Sequence, residues 1–232
     1  MSARAVIDRP YNERDKEKVI NTMMNDPAIQ GVLAEYRRRI ETEDGLRKIL
    51  SRQEWLSRRD EFLLEVGESV ATIMHILIRE TEAKTILEVG TSYGFSTLWL
   101  ADAARATHGK VITLDLNAQK QGFARAMLQK AGLDSYVEFR QGDALAIIEK
   151  MQEKVDFALI DLWKDLYVPC FDLVLPRLAP AATIVADNMI FPPDNQAMAA
   201  AYRAHIREQP GLDSVLLPVG HGIEVTRRSG LH

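Results

Sequence analysis

The chain has 232 residues, with 29 Lys or Arg against 33 Asp or Glu, a formal net charge of −4 and a hydrophobic fraction of 47%. That length supports one α/β domain with a buried core plus a modest extension, and the composition excludes wholesale disorder. Residues 1–62 carry 13 positive and 12 negative charges and the remainder 16 and 21, so neither part makes the basic field that nucleic-acid binding needs.

Taken in chain order, the N-terminus MSARAVIDRPYNERDKEK has no continuous apolar run of the kind a signal peptide needs. Residues 1–60 are charged and helical in pattern, an extension ahead of a main domain over 61–232. Helices are predicted over Asp15–Met24 and Ile29–Ile40, broken by Asp26-Pro27, and from about Thr42 to Ser57. Arg37-Arg38-Arg39 reads as a solvated helix face, because Glu35, Glu41 and Glu43 surround it. Phe62, Leu63, Val66, Val70, Ile73, Met74, Leu77 and Ile78 form one apolar face of a further helix. The longest apolar stretch, Ala71–Ile78, is interrupted by His75 and too short to span a bilayer, so a cytoplasmic protein without membrane contact is expected.

A strict alternation then begins. Strands are predicted at Thr85–Val89, Val111–Leu114, Val137–Phe139, Phe157–Ile160 and Ala182–Ala186. Helices fall at Ser96–Arg105, Gln119–Ala131, through Ile147–Met151, Val168–Leu178 and Gln196–Glu208. Val215–Pro218 and Ile223–Thr226 close the chain as a hairpin. Such alternation means an α/β fold, a mostly parallel sheet with helices on both faces and an antiparallel edge. The one cysteine, Cys170, excludes an internal disulfide framework and reads as a small buried residue. His75, His108, His205 and His232 show no ligand spacing and read as structural or surface residues.

Open parallel sheets bind ligands at the carboxyl ends of their strands. After the first strand, Gly90 and Gly94 allow a tight turn and close approach to a ligand, and Ser96 can cap the next helix. The run departs from G-x-G-x-x-G, with Ser92 at the second position. Glu88 ends a buried strand and needs a partner: a cationic ligand, a salt bridge or a backbone bond. Asp115, after the second strand, can accept both ribose hydroxyls, and Gly142-Asp143-Ala144 follows the third. Three acids along one sheet edge repel a nucleotide phosphate and suit a nucleoside with a positive centre, which favours S-adenosylmethionine over NAD. Asp161 ends the fourth strand and Asp187-Asn188 the fifth. Two carboxylates and an amide oxygen make a hard-oxygen half-shell that suits Mg²⁺, although Asp187-Asn188 can also simply begin a loop.

The segments Leu87–Ser96, Asp161-Leu162-Trp163-Lys164-Asp165-Leu166-Tyr167 and Ala186-Asp187-Asn188 resemble the catechol and caffeoyl-CoA O-methyltransferase family, over roughly residues 60–228. The resemblance implies a Rossmann-like fold with a seven-stranded sheet, and transfer of a methyl group from S-adenosylmethionine to a hydroxyl of a small, aromatic, catechol-like or vicinal-diol acceptor. It implies that Glu88 and Gly90 hold the methionine part of the cofactor, with Val66, Tyr93 and Ser96 beside it. Asp115 and Leu116 would take the ribose, Asp143 and Ala144 the adenine, and Trp163 would pack on the adenine face. Asp161, beside the cofactor, would bind a divalent cation (Mg²⁺, Mn²⁺ or Ca²⁺) with Asp187 and Asn188. Lys164 would be the general base, unless it is a surface lysine paired with Asp165. A homodimer is implied as well.

One departure stands out. The catechol enzymes hold the second hydroxyl with an acid near the final hairpin, and here Ser214–Val219 offers none after Asp213, while His221 and Glu224 lie out of register. Phe62, Trp163, Met189, Ile190 and Phe191 suggest an apolar or aromatic acceptor pocket. Two other readings share some of these features: a non-catalytic S-adenosylmethionine-binding module and an NAD-dependent dehydrogenase.

Overall fold

A computed structural model describes residues 22–229. Most of the predicted Asp15–Met24 helix and His232 lie outside the described residues. The seven strands are β1 (Thr85–Val89), β2 (Lys110–Asp115), β3 (Val137–Gln141), β4 (Val155–Ile160), β5 (Leu178–Ala186), β6 (Leu212–Leu217) and β7 (Ile223–Arg228). They form one sheet in the order β3-β2-β1-β4-β5-β7-β6. β1 to β5 run parallel, and β7 pairs antiparallel with both β5 and β6. The order reverses between β1 and β4, and the crevice at such a switch is where a parallel sheet takes its ligand.

Helices α1 (Pro27–Arg47), α2 (Arg52–Arg58), α3 (Glu68–Glu80), α4 (Phe95–Thr107), α5 (Ala118–Lys130), α6 (Ala144–Lys150), α7 (Tyr167–Val174) and α8 (Gln196–Arg207) surround the sheet. Alternation along β1 divides the interior. Ile86 joins a core with α1, α3, α4 and α5, and Leu87 and Val89 join a second core with α6, α7 and α8. None of the helices among the described residues is long and apolar enough to cross a membrane.

Three departures from the sequence pattern shape the site. The helix expected from Phe62 begins only at Glu68. Leu64 and Gly67 take left-handed φ values of 50° and 80°, which breaks the helix, while Phe62, Leu63 and Val66 stay buried from an extended segment. Buried residues in an irregular segment mimicked a helical face. Next, α1 runs unbroken to Arg47, and the chain restarts at α2 behind a capping box between Ser51 and Glu54. Finally, Arg37 and Arg39 are half-buried rather than solvated. Arg37 pairs with Glu68 at 2.7 Å, and Arg39 pairs with Glu43 at 2.6 Å and lies 3.7 Å over the Tyr93 ring. Both tie α1 to the segments beneath it. Cys170 is fully buried, as its composition suggested, and burial pushes its thiol up to about 12.

Candidate active site

The carboxyl ends of β1, β2 and β3 form the first half of the site. Glu88 faces α4 with no exposed surface. Its carboxylate accepts hydrogen bonds from Ser96 Oγ, Thr97 Oγ1 and Thr113 Oγ1, each at 2.6 Å. Burial still pushes its pKa up to about 7, against the lowering effect of the three hydroxyls. Among the described residues its partners are thus hydroxyls, neither a salt bridge nor a backbone group. Ser96 does not cap α4: Gly94 is the N-cap, at φ 86°, and the Ser96 hydroxyl is spent on Glu88. At Gly90, φ is 109°, and a Cβ there would overlap the Asp161 carbonyl oxygen. The approach this glycine permits is therefore between the ends of β1 and β4.

Asp115 is oriented by two backbone donors, Ser92 N–H to Oδ2 at 2.7 Å and Asn117 N–H to Oδ1 at 2.8 Å. Gly142 N–H reaches the Asp115 carbonyl at 3.0 Å, which sets Asp143 beside it, and Asp143 caps α6 through Leu145 N–H at 2.9 Å. Leu116 and Asp143 are exposed and Ala144 half-buried along this edge. Val66 is buried. The Tyr93 ring stacks edge-on against Phe123 at 5.5 Å beneath Arg39, and its carbonyl accepts from the Tyr36 hydroxyl at 2.7 Å.

The ends of β4 and β5 form the second half. Asp161 N–H bonds to the Val89 carbonyl at 2.9 Å and Asp187 N–H to the Ile160 carbonyl at 3.2 Å, so neighbouring strands carry both carboxylates to one place. Burial raises the pKa of each, most for Asp187, where the Asp161 charge adds to it. Asp187 is 1% exposed, and its Oδ1 has no hydrogen-bond partner among the described residues. Lys164 is buried too. Its Nζ lies 4.0 Å from Asp161 Oδ1 and donates to the Tyr167 hydroxyl, and burial lowers its pKa against the pull of Asp161 and Asp187. Its partners are half-buried Asp161 and buried Tyr167, and Asp165 is exposed. Asn188 follows at a left-handed φ of 56°, its Nδ2 3.5 Å from His221 Nδ1.

Tyr167 is the residue sequence reasoning passed over. Its hydroxyl joins Lys164 to the Asp187 carbonyl, 3.2 Å away. The signal was the three-residue spacing from Lys164, one helical turn. Of the residues expected to line an acceptor pocket, Trp163, Ile190 and Phe191 are exposed, with the Arg59 guanidinium 3.9 Å over the Trp163 ring. Phe62 and Met189 are buried in packing instead, Phe62 against Trp55 at 4.7 Å. Glu224 is buried on the α8 side of the sheet: its Oε1 accepts from Ser214 Oγ at 2.7 Å and from Arg207 at 3.2 Å, and its Oε2 has no partner among the described residues.

The sequence profile of the O-methyltransferase family matches residues 44–229. The chain belongs to that family. Among curated relatives of this O-methyltransferase, the catechol O-methyltransferase of Niastella koreensis is 34% identical over 131 residues, which span 55% of this chain and 59% of that protein. Caffeoyl-CoA O-methyltransferase 5 of Nicotiana tabacum is 26% identical over 214 residues, 83% of this chain and 86% of the relative. Among solved structures, cofactor-bound Rv0187 from MTB superposes with a TM-score of 0.72 at 25% identity, covering 96% of this chain and all of that one. The O-methyltransferase from Bacillus cereus in complex with SAH shares the fold at 21% identity, with a TM-score of 0.69 and coverage of 91% and 96%. Family membership leaves the dehydrogenase reading without support.

Proposed function

We propose that this O-methyltransferase moves a methyl group from S-adenosylmethionine to a hydroxyl oxygen of a small acceptor, with a divalent cation at Asp161, Asp187 and Asn188. The observation that carries the reading is the buried Asp187 carboxylate, with one oxygen unpartnered among the described residues, beside the half-buried Asp161 carboxylate and the buried Lys164. An uncompensated buried carboxylate is costly, and a cation removes that cost. Among the described residues no three His, Cys, Asp or Glu side chains cluster as metal ligands. The set fits a hard cation through its amide member, since Mg²⁺ typically binds one or two carboxylates and keeps several waters.

Asp115, fixed by two backbone donors at the end of β2, is placed to accept ribose hydroxyls, and Asp143 and Ala144 flank the adenine side. Glu88 fixes the Gly90–Ser96 turn through its hydroxyl partners and gives the methionine end an acidic floor. When bound, the cofactor supplies an electrophilic methyl group and the cation lowers the pKa of the acceptor hydroxyl. Lys164 is the general base. Burial favours its neutral form, and Tyr167 fixes its Nζ where it can receive the proton released by the acceptor oxygen. Holding both reactants in line supplies much of the remaining rate.

The test is transfer of labelled methyl from S-adenosylmethionine to a panel of catechols, with and without a chelator. Turnover is expected only with the divalent cation. Lys164→Ala and Asp161→Ala are expected to abolish it, by roughly 10²-fold or more, with circular dichroism unchanged. Full activity of either variant contradicts the mechanism. Cofactor binding with no methylation of any hydroxylated acceptor favours the binding-module reading.

A further inference from the structure

We propose that Arg203 is a positioning residue for the divalent cation: from α8 it fixes the loop after β5 so that the Asn188 amide stays with Asp161 and Asp187. The inference rests on the cation reading above and extends it to a residue that is not itself a ligand.

The three proposed ligands are held in different ways. Asp161 and Asp187 stand directly after β4 and β5, and their N–H groups donate to the Val89 carbonyl at 2.9 Å and the Ile160 carbonyl at 3.2 Å on neighbouring strands. Sheet pairing therefore places both. Asn188 lies further out, past the last paired residue of β5, Ala186, which sits opposite Ile160 and Glu224. Its backbone is left-handed, at φ 56°. Asn tolerates that conformation better than most residues, yet it remains less favourable than the right-handed one. Contacts beyond the sheet have to maintain it.

Those contacts come from two sides. The terminal hairpin holds the N–H groups. Met189 N–H donates to the Gly222 carbonyl at 2.8 Å, and Ile190 and Phe191 N–H donate to the His221 carbonyl at 2.8 and 3.0 Å. A Cβ on Gly222 would overlap the Ile190 side chain, so hairpin and loop are in direct contact. α8 holds the carbonyls. Arg203 Nη1 donates to the Met189 carbonyl at 2.9 Å, and Gln196 Nε2 donates to the Ile190 carbonyl. Positions 196 and 203 are seven apart, two turns along one helix face, so one face of α8 serves two consecutive carbonyls. Arg203 is half-buried, and among the described residues its partner is this neutral carbonyl and no carboxylate. A guanidinium taken partly out of water without a counter-ion costs stability. Set against that cost is a rigid hold on the residue that follows Asn188.

Without this bond the Met189 carbonyl is free to turn, the Asn188 backbone relaxes toward the right-handed region, and its amide leaves the two carboxylates. Asp161 and Asp187 stay where the sheet puts them. The loss is therefore selective: cation affinity falls, while the cofactor half of the site, built on β1 to β3, is untouched. Partners that orient metal ligands typically contribute about 10- to 100-fold in metal affinity.

Mn²⁺ serves as the probe, its binding read from the loss of the free-ion signal in electron paramagnetic resonance. S-adenosylhomocysteine is titrated calorimetrically into the same proteins in the presence of a chelator. Arg203→Met is expected to weaken Mn²⁺ about 10- to 100-fold and to leave S-adenosylhomocysteine affinity unchanged. Arg203→Lys, which keeps the charge without the fork, is expected to fall between, and it carries the test if Arg203→Met does not fold. Half-maximal turnover should need correspondingly more Mg²⁺, with turnover restored at saturating Mg²⁺, which a general loss of structure would not allow. Unchanged Mn²⁺ affinity in the folded variants, or parallel loss of Mn²⁺ and S-adenosylhomocysteine, overturns the role of Arg203 alone. Failure of the unsubstituted protein to bind Mn²⁺ overturns the cation reading and this inference with it.

Discussion

Glu88 shows what a single residue contributes. Its folded pKa is raised from 4.5 to about 7 by burial, so between those values the folded state binds a proton that the unfolded state has lost. Stability therefore falls as pH rises through that window, by on the order of 3 kcal/mol in all. Glu88→Gln should remove this slope: its melting temperature relative to the unsubstituted protein should rise between pH 5 and pH 8, followed by calorimetry. Equal pH slopes in the two proteins would remove burial as the governing cause. Tyr167→Phe tests the other half of the site. It deletes the hydroxyl between Lys164 and Asp187 and should lower kcat by about tenfold, one hydrogen bond's worth of positioning, with cofactor affinity unchanged. The acids at the strand ends were legible in the sequence because strand ends are where such sheets carry chemistry. Their partners were not, since Thr113 comes from a neighbouring strand and Ser96 and Thr97 from the next helix.

At the scale of elements, five parallel strands and the terminal hairpin were readable from short apolar runs separated by helical ones. The segment from Lys48 to Gly67 was not, because periodicity reports burial and cannot separate a helix face from an extended stretch that happens to bury Phe62, Leu63 and Val66. That stretch matters for the site. α2 has no buried residue and is held by Arg52 to Asp194 at 2.5 Å and by half-buried Trp55 against Phe62 at 4.7 Å and beneath Arg47 at 4.2 Å, while just beyond it Arg59 covers Trp163 and Asp60 faces Lys120 at 3.9 Å. Exposed ion pairs contribute little stability, about 0–1 kcal/mol each, so this strap should open well below the cost of global unfolding. Trypsin should cut first at Arg52, Arg58 or Arg59, and S-adenosylhomocysteine with Mg²⁺ should slow that cut. First cleavage within α4 or α5, or no protection by ligand, would contradict the assignment.

At the scale of the molecule, the charge pattern changes near residue 60, and sequence alone places a domain boundary there. The described part of that extension, α1, packs into the core of the main domain. Ile29, Val32, Leu33 and Tyr36 of α1 are buried in the same core as Val66, Met74, Phe95 and Trp99. Tyr36 lies edge-on to Phe95 at 5.6 Å, and its hydroxyl bonds to the Tyr93 carbonyl in the turn after β1. Arg105 extends the connection, pairing with Asp26 at 3.1 Å and with Asp102 at 2.5 Å, which in turn holds His75 at 2.9 Å. Composition reports the solvent-facing half of a helix as readily as a boundary, whereas a shared core makes two segments unfold together. Helix content and Trp99 fluorescence should therefore be lost in one coincident urea transition. Tyr36→Ala should move its midpoint to lower urea by the equivalent of about 3–5 kcal/mol, the cost of a large aromatic cavity, and Tyr36→Phe by about 1 kcal/mol for the hydroxyl alone. An earlier loss of part of the helical signal, with fluorescence unchanged, would show that α1 unfolds as a separate unit and that the composition boundary is physical.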